Sequence, residues 1–425
     1  MTTILWAVFL ILLALLGAPL FSIIGAIALL SFHFLGIDTS AVIVEMYRLS
    51  SAPTLIAIPL FTFAGYVLAE SNAPKRLVNL SRAMFGWMPG GLAIVVLVTC
   101  AFFTAFTGAS GVTIVAIGGL LYPMLLKEGY PEKFSLGLIT SSGSLGLLFP
   151  PSLPIILYAV VAKISVDQLF LAGIIPGFLL IILLSIYSTQ KGKKAAVPVT
   201  RFNWSNLWLA LKDAIWEIPL PFIIIGGIYG GFFTATEAAA ITAFYALIVE
   251  VFVYQDLKLF KDIPKIIKES MVLVGGILVI LGTALGLTNY LIDEQVPMKI
   301  LNFMQTFISS KIVFLIMLNI LLLIVGCMMD IFSAIIVVVP LIVPIARAFG
   351  VDPIHLGVIF LTNLEIGYLT PPVGLNLFIS SFRFEKPILQ LYRASLPFLL
   401  ILIIALLVIT YVPELSLGLV KLMGK

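Results

Sequence analysis

Long apolar runs separated by short polar connectors dominate the chain. A membrane-spanning helix needs about 20 predominantly apolar residues, and nine runs come near or exceed that length. They cover about 4–32, 53–71, 134–162, 167–189, 217–233, 236–254, 270–291, 355–382 and 388–412. Two further stretches, 91–126 and 311–347, are interrupted near their middles by Thr107–Gly111 and Gly326–Asp330. Each half has about 16 residues, short for a full crossing, so we predict two re-entrant hairpins whose tips lie near the middle of the bilayer.

The two hairpin regions belong to a pattern that occurs twice. The first copy runs from Phe102 to Tyr158 and the second from Leu323 to Ile379. A shift of 221 positions superimposes Pro123 on Pro344, Gly129 on Gly350, Gly146 on Gly367 and Pro150-Pro151 on Pro371-Pro372. Paired apolar segments interrupted by Gly and Pro indicate the binding site of a secondary transporter. We therefore predict an all-α polytopic membrane protein with inverted repeats, each containing one re-entrant hairpin and one broken transmembrane helix.

Composition and charge narrow the class of protein. Of 425 residues, 61% are hydrophobic and 10% are charged, whereas a soluble domain carries about 25% charged residues. If the N-terminus is cytoplasmic, 17 of the 24 lysines and arginines fall on the cytoplasmic side, in agreement with the positive-inside rule. With this topology the two hairpins enter the membrane from opposite faces, as an inverted repeat requires. The sequence shows no basic face with interleaved aromatic residues, which argues against nucleic acid as a partner.

Four short amphipathic stretches join the spans: 74–88, 203–216, 257–269 and 295–309. We predict that they lie in the membrane interface, where indole and cationic side chains are favoured. The first and the last directly precede a hairpin, and are either lateral arms between a fixed scaffold and a mobile block or ordinary connectors. The predicted division is 1–90 (scaffold and first arm), 91–166 (first transport-domain half), 167–310 (scaffold and second arm), 311–384 (second transport-domain half) and 385–425 (C-terminal scaffold helix).

The candidate ion- and substrate-binding groups lie at the breaks of the hairpins and of the broken helices. At a broken helix, one segment ends in unpaired carbonyl groups, which suit Na⁺, and the next begins with unpaired amides, which suit an anion. Polar residues cluster beside the breaks: Thr107, Ser110, Ser141, Ser142 and Ser144 in the first copy, and Thr362, Asn363 and Thr370 in the second. The alternative for any one hydroxyl is a hydrogen bond back to its own helix.

Three carboxylates lie within predicted membrane segments. A charge inside the bilayer is costly, so each of them should have a structural or functional role. We predict that Asp330, at the second tip, faces an ion or the substrate, with helix capping as the alternative. For Glu365, in the second broken helix, both a structural hydrogen bond and a functional role stay open. Glu237 follows Thr234 and Thr236, a pattern that favours helix capping.

The sequence contains no Ser-His-Asp set, no Gly-x-Ser-x-Gly elbow and no Walker loop. We therefore expect no enzymatic activity and no ATP hydrolysis, so that an ion gradient or an external ATPase subunit drives transport. The rival classes are a stand-alone Na⁺/dicarboxylate symporter, an intramembrane enzyme and a channel. His33 and His355 lack partners at ligand spacing, and Cys100 and Cys327 lie in apolar runs, so we expect no metal other than Na⁺ and no disulfide.

Several motifs resemble the large (M) membrane subunit of tripartite ATP-independent periplasmic (TRAP) transporters. They are Gly326-x-x-Met329-Asp330, Thr370-Pro371-Pro372-Val373-Gly374-Leu375-Asn376-Leu377-Phe378, Thr236-Glu237-Ala238-Ala239-Ala240 and Phe149-Pro150-Pro151-Ser152. The resemblance covers essentially the whole chain. It implies an elevator-type, Na⁺-driven importer in a bacterial inner membrane, without an organic cofactor. It also implies two partners, a small four-helix (Q) membrane subunit and a soluble periplasmic substrate-binding (P) protein.

The resemblance further implies the substrate class and the site residues. Family substrates are organic acids such as C4-dicarboxylates and sialic acid (N-acetylneuraminate), and the overall similarity is to the sialic acid type. The implied Na⁺ ligands are Thr107, Ser110, Gly146, Phe149 and Pro151 in one site and Asp330, Gly367, Thr370 and Pro372 in the other. Family members often read Ser-Gly-Ser where this chain has Thr107-Gly108-Ala109, so either Ser110 or backbone oxygens replace the missing hydroxyl. The predicted substrate contacts are Ser110, Ser142, Ser152, Asp330, Asn363 and Asn376.

Overall fold

The computed structural model describes residues 16–50, 53–195, 197, 201–306, 308 and 310–423, together with residues 6, 9, 10, 12 and 13. Every regular element within these ranges is helical, which confirms the predicted all-α class. Two predicted features fall partly outside the described residues: the start of the run at 4–32 and the end of the stretch at 295–309.

The first half begins with four helices and continues into a hairpin and a broken helix. The early helices are α1 (Leu20–Phe34), α2 (Ser40–Ser50), α3 (Ala57–Glu70) and α4 (Ala73–Phe85). The hairpin consists of α5 (Gly91–Thr107) and α6 (Ser110–Lys127). The broken helix consists of α7 (Glu132–Ser142), a 3₁₀ turn (Leu145–Leu148) and α8 (Leu153–Ala162). The long α9 (Val166–Lys194) and the amphipathic α10 (Trp204–Asp213) follow.

The second half repeats this order. It begins with α11 (Pro219–Tyr229), α12 (Ala235–Val253), α13 (Asp262–Asp293) and the short α14 (Val296–Gln305). The second hairpin consists of α15 (Lys311–Met328) and α16 (Ile331–Ala348), and the second broken helix of α17 (Pro353–Gly367) and α18 (Leu375–Phe384). The last two helices are α19 (Ile388–Tyr411) and α20 (Glu414–Leu422).

Within the described ranges, eight helices are long and apolar enough to cross a membrane, and the first broken helix, bent by 46°, counts as a ninth. The structure corrects three predicted runs. The run 4–32 is not one helix, because Leu16 and Gly17 form a turn and α1 begins only after Pro19. The stretch 257–269 is not a separate connector, because most of it belongs to the 32-residue α13. The run 217–233 contains only the 11-residue α11, which ends at a glycine pair.

The two halves have matching helix boundaries under the shift of 221 positions. Both hairpin arms and the first segment of each broken helix begin within one residue of their equivalents. Gly129 and Gly350, which precede the broken helices, both have positive φ, at +90° and +73°, a conformation that glycine adopts without steric cost. The peptide bonds Pro150–Pro151 and Pro371–Pro372 are both cis. The predicted repeat of a hairpin followed by a broken helix is therefore confirmed.

The second segment of each broken helix packs against the hairpin of the other half. Helix α8 lies on α16, and α18 lies on α6. The Arg383 Nε atom of α18 donates a 3.1 Å hydrogen bond to the Val115 carbonyl, at a π-helical turn of α6. The Ser144 hydroxyl donates to the carbonyl of Glu365, 3.5 Å away and 221 positions along the chain. These two equivalent residues therefore mark the line along which the interlocked halves meet.

One arginine fastens α4 to the region around α11 and α12. The Arg76 guanidinium binds three carboxylates, those of Glu217, Glu250 at 2.8 Å and Asp256 at 2.7 Å. Burial opposes the ionisation of Asp256, but hydrogen bonds from Asn72 and Arg76 outweigh it and hold the pKa of Asp256 below its usual range. Because Glu217 and Glu250 are buried, this cluster ties the first predicted arm firmly to its neighbours.

The structure decides between the alternatives for Glu237. The Thr234 hydroxyl accepts a hydrogen bond from the Glu237 amide at 3.3 Å, and the Glu237 carboxylate accepts one from the Thr234 amide at 2.8 Å. This reciprocal pair is a capping box at the start of α12. Helix capping, the interpretation that the sequence pattern favours, is therefore what the structure shows.

Candidate functional site

The tip of the first hairpin lies against the linker of its own broken helix. Helix α5 ends at Thr107 because Gly108 turns the chain with φ +64°, and α6 starts at Ser110. A Cβ atom on Gly108 would lie 2.6 Å from the Cγ atom of Leu153, the first residue of α8. Thr107 and Ser110 are both buried. The two predicted hydroxyl ligands therefore sit at an enclosed tip, next to the start of α8.

No sequence motif marks the two threonines that join the arms of this hairpin. The hydroxyl oxygens of Thr104 and Thr113 lie 2.7 Å apart, and the Thr104 hydroxyl donates to the Gly143 carbonyl at 2.8 Å. Both threonines are fully buried, and Gly143 directly follows α7. The sequence does give one indication for Thr104, which lies one helical turn before Thr107 in an otherwise apolar arm. A hydroxyl buried in such an arm needs a hydrogen-bond partner.

The turn between α7 and α8 packs directly on the backbone of α5. A Cβ atom on Gly146 would lie 2.2 Å from the Ala101 carbonyl oxygen and 2.5 Å from the Ala105 amide nitrogen. Phe149 meets Phe178 of α9 edge to face, with ring centres 5.2 Å apart. The structure thus gathers around one linker the residues predicted for the first Na⁺ site, which are Thr107, Ser110, Gly146, Phe149 and Pro151.

The second hairpin meets its own linker in the same way. A Cβ atom on Gly367 would lie 2.5 Å from the carbonyl carbon of Gly326. The Gly374 amide, just before α18, donates to the Cys327 carbonyl at 3.1 Å. Of the residues predicted for the second Na⁺ site, Asp330 lies at this tip and Gly367 packs on the hairpin arm, while Thr370 and Pro372 belong to the linker that follows α17.

Asp330 is exposed at the second tip and caps α16. Its carboxylate accepts 3.0 Å hydrogen bonds from the amides of Phe332 and Ser333, and another from the Ser333 hydroxyl. The Ile331 amide donates instead to the buried hydroxyl of Tyr368 at 2.7 Å, a contact that no sequence motif predicts. The capping alternative for Asp330 is therefore present. Because the residue is exposed, the carboxylate is also accessible to an ion or a substrate.

Several predicted hydroxyls bond back to their own helices. The Ser142 hydroxyl donates to the Ile139 carbonyl at 3.1 Å, and the Thr370 hydroxyl to the Ile366 carbonyl at 3.0 Å. A hydroxyl that only donates keeps its lone pairs for another partner, so this bonding is compatible with a cation at Thr370 and with a substrate contact at Ser142. Ser152 differs, because its hydroxyl is fully buried and has no hydrogen-bond partner in the part of the chain that the structure describes.

The two predicted asparagines have different surroundings. Asn376 reaches the other half, where its Nδ2 atom donates to the Thr140 carbonyl at 3.3 Å and lies 3.4 Å from the Ser144 hydroxyl. Its buried Oδ1 atom has no partner among the described residues. The Nδ2 atom of Asn363 donates at 2.7 Å to the Asn319 side chain of α15, and its buried Oδ1 atom also lacks a partner within the described residues. Asn376 is therefore at the line where the halves meet, whereas Asn363 is held within the second half.

Glu365 is fully buried in α17, and neither of its carboxylate oxygens has a hydrogen-bond partner within the described ranges. The structural hydrogen bond considered for this residue is therefore not seen. Its carbonyl accepts from Ser144, so the residue lies beside the line where the halves meet. An unpaired carboxylic acid at such a position is costly, and such positions in membrane proteins are usually functional.

Two hairpins, each seated on the linker of a broken helix, define the chain as a multi-pass membrane transporter built from a repeat. A family model described as the tripartite ATP-independent periplasmic transporter, DctM component, matches residues 6–415. The chain belongs to this family, which confirms the resemblance seen in the sequence motifs. The relatives reported below are transporter permeases and are not enzymes.

Three relatives show the range of the family. The C4-dicarboxylate TRAP transporter large permease protein DctM of Pseudomonas aeruginosa is 38% identical over 403 residues, which cover 94% of this chain and 93% of that protein. The ectoine/5-hydroxyectoine permease UehC of Ruegeria pomeroyi is 34% identical over 412 residues, 96% of each. The isethionate permease protein DctMQ of Oleidesulfovibrio alaskensis is 38% identical over 361 residues, 84% of this chain and 57% of that protein.

A solved structure shares the fold at low sequence identity. The Alcanivorax borkumensis YdaH transporter aligns with a TM-score of 0.60 at 14% identity, over 91% of this chain and 88% of that one. The likeness therefore concerns the helical architecture alone.

Proposed function

We propose that this chain is the permease of a Na⁺-driven importer of a small organic acid in a bacterial inner membrane, with a cytoplasmic N-terminus. The supporting observation is that each hairpin tip sits on the linker of its own broken helix. That seating gathers helix ends, hydroxyls and the Asp330 carboxylate at two equivalent places. Helix ends of this kind bind Na⁺ through carbonyl groups and anions through amides. In this proposal, the two residue sets gathered at the tips hold the two cations.

For the substrate we propose a C4-dicarboxylate first and sialic acid second. The relatives reported above are named for C4-dicarboxylate, ectoines and isethionate, and none of these names mentions sialic acid. Ser152 and Asn376 support an adjacent polar ligand, because each has a buried oxygen without a protein partner among the described residues. Asn363 supports the same contact, because its Oδ1 atom is also buried without a partner among the described residues. Ser110, Ser142 and Asp330 complete the proposed contacts.

In the proposed elevator movement, the hairpins and broken helices move together against a scaffold. Interlocked aromatic side chains join α7, α9 and α19: the ring centres of Phe134 and Phe398 are 5.6 Å apart, and those of Tyr187 and Phe398 are 5.2 Å apart. Such interdigitation resists sliding, so we assign α9 and α19 to the mobile block. This assignment moves the domain boundaries proposed at 167 and 385. The scaffold then consists of α1–α3 and α11–α13, with α4 and α14 as arms.

The proposed importer has two further components, a small four-helix membrane subunit and a periplasmic binding protein that delivers the substrate. Two observations support this composition. The matching family model describes a tripartite periplasmic transporter, and the name DctMQ of one relative joins M and Q in a protein of which this chain covers 57%. The stand-alone symporter is the alternative.

The permease, reconstituted in vesicles with its small subunit and supplied with its binding protein, is expected to accumulate succinate only under an inward Na⁺ gradient. The reason is that oxygen-lined helix ends at both tips suit a hard monovalent cation. Uptake of radiolabelled succinate measures this dependence, and replacing Na⁺ by K⁺ should reduce uptake to background. Unchanged uptake in K⁺ would refute Na⁺ coupling. Equal uptake without the binding protein would instead favour the stand-alone symporter.

Asp330→Asn is expected to lower Na⁺-dependent uptake while leaving thermal stability unchanged. Asparagine caps a helix about as well as aspartate, but it lacks the negative charge that would contact the cation. Losing a charge-assisted contact of about 1.5–3 kcal/mol corresponds to a decrease of roughly 10- to 100-fold. Uptake and the midpoint of thermal unfolding are measured for both proteins.

The matched control for this variant is Asp352→Asn. Asp352 caps α17 through the amides of Ile354 and His355 in the same way as Asp330 caps α16, but it lies away from the tip. We expect this control to retain full uptake. If Asp330→Asn is equally active, Asp330 serves only as a helix cap.

A further inference from the structure

An open cavity of about 430 Å³ lies between α4 and α10. Asn79 and Arg82 of α4 line one side, and Arg201, Asn206 and Asp213 line the other. Apolar side chains of the two helices pack together beside it. The proposed transport cycle makes no use of this cavity, which lies outside both hairpins and both broken helices.

The charges in the lining suit a ligand that carries both signs. Arg82 binds Glu128 at 2.5 Å through Nη2, so its other guanidinium donors stay available. Arg201 and Asp213 take part in no ion pair within the described ranges. The Asp213 backbone is held by a 2.6 Å hydrogen bond from the Tyr254 hydroxyl to its carbonyl. Two guanidinium groups favour a phosphate, and the carboxylate favours an ammonium group.

The aromatic side chains around this cavity are of the kind found in the headgroup layer of a membrane. Trp87 and Phe202 line it and meet edge to face, with ring centres 6.3 Å apart. On α10, Trp204 and Trp208 are 75% and 61% exposed. Exposed indoles next to cationic side chains are typical of the membrane–water interface. The ligand would therefore arrive from the lipid layer, with its acyl chains following the exposed side chains of Trp208 and Leu209 on α10.

From this lining we propose that the cavity binds the headgroup of a zwitterionic phospholipid of the phosphatidylethanolamine class. The phosphate lies between Arg82 and Arg201, and the ammonium group lies at Asp213. A lipid bound in this way bridges α4 and α10, and so holds the first arm against its neighbours. The site is independent of the Na⁺ and substrate positions proposed above.

Native mass spectrometry of the delipidated permease tests this proposal. The protein, alone and with its small subunit, is titrated with phosphatidylethanolamine, phosphatidylglycerol or inorganic phosphate. We expect one phosphatidylethanolamine to be retained in preference to phosphatidylglycerol. Arg201→Gln should weaken the binding of both lipids several-fold, and Asp213→Asn should remove the preference between them. The control Lys212→Gln removes a charge from the same helix outside the lining, and it should bind as the unchanged protein does.

Four outcomes would overturn the proposal. The first is unchanged lipid binding in both cavity variants, with unfolding midpoints showing that they are folded. The second is equal retention of the two lipids by the unchanged protein, which would remove the role of the ammonium group. The third is displacement of the lipid by millimolar inorganic phosphate, which would show a free-anion site. The fourth is loss of the bound lipid when the small subunit is present, which would show that this face is a protein interface.

Discussion

Replacing Arg76 by alanine is expected to destabilise the protein by about 3–5 kcal/mol, the usual cost of removing one partner from a buried ion pair. Arg76 is the cation shared by Glu217 and Glu250, whose side chains are 1% and 0% exposed. Without it, both carboxylates are buried and uncompensated, and Tyr254 loses the guanidinium that lies 3.7 Å from its ring centre. The midpoint of thermal unfolding in detergent should fall by many degrees.

Arg82→Ala is the matched control for Arg76→Ala. Both arginines lie on α4, but within the described residues Arg82 pairs with Glu128 alone, and these side chains are 42% and 21% exposed. A pair accessible to solvent contributes about 0–1 kcal/mol, so in the delipidated protein this variant should unfold close to the midpoint of the unchanged protein. Similar midpoints for the two variants would show that the buried cluster does not hold α4 in place.

Gly146→Ala and Gly367→Ala are each expected to abolish transport. At either position the new Cβ atom would lie 2.5 Å or less from backbone atoms, those of Ala101 and Ala105 in one case and of Gly326 in the other. Backbone atoms cannot rotate out of the way, so the linker must move off the hairpin arm. Overpacking of this kind costs about 1–3 kcal/mol. It also separates the groups gathered at the tip, which uptake in vesicles would report as background activity.

Gly275→Ala separates this effect from a general intolerance of alanine. Gly275 lies within α13, and a Cβ atom there would meet no atom of the described residues within 4 Å. Alanine should stabilise this helix by about 0.5–1 kcal/mol and leave transport intact. Full activity in Gly146→Ala would show that the contact between the linker and α5 is not required for transport.

The repeat is visible in the sequence because its breakers have local backbone reasons. Gly129 and Gly350 need positive φ, so they recur at equivalent places whatever surrounds them. The prediction for 257–269 is wrong because an amphipathic pattern is the same for an interfacial connector and for the exposed start of a long helix such as α13. The interruption of 4–32 at Gly17 was missed because apolar residues flank it on both sides.

The candidate site is predictable to a smaller extent. The tips and linkers follow from the breakers, and the structure places each hairpin against the linker of its own broken helix. The contacts that join distant segments do not follow, because nothing local specifies them. Thr104 reaches Gly143 across 39 positions, and Asn376 reaches Ser144 across 232. The sequence also does not show that the Glu365 carboxylate is buried without a partner among the described residues, because burial depends on what packs around the helix.

The amino-acid order by itself determined the membrane class, the two hairpins, the broken helices and the family, since hydrophobic length and helix breakers act on the nearest residues. Only the tertiary structure showed that α8 and α18 each pack against the hairpin of the other half, and that Arg76 forms ion pairs with three carboxylates. It also showed that each hairpin tip packs on the linker of its own broken helix. The physical reason is that close packing and charge compensation depend on residues far apart in the chain. Their meeting is a property of the assembled helices.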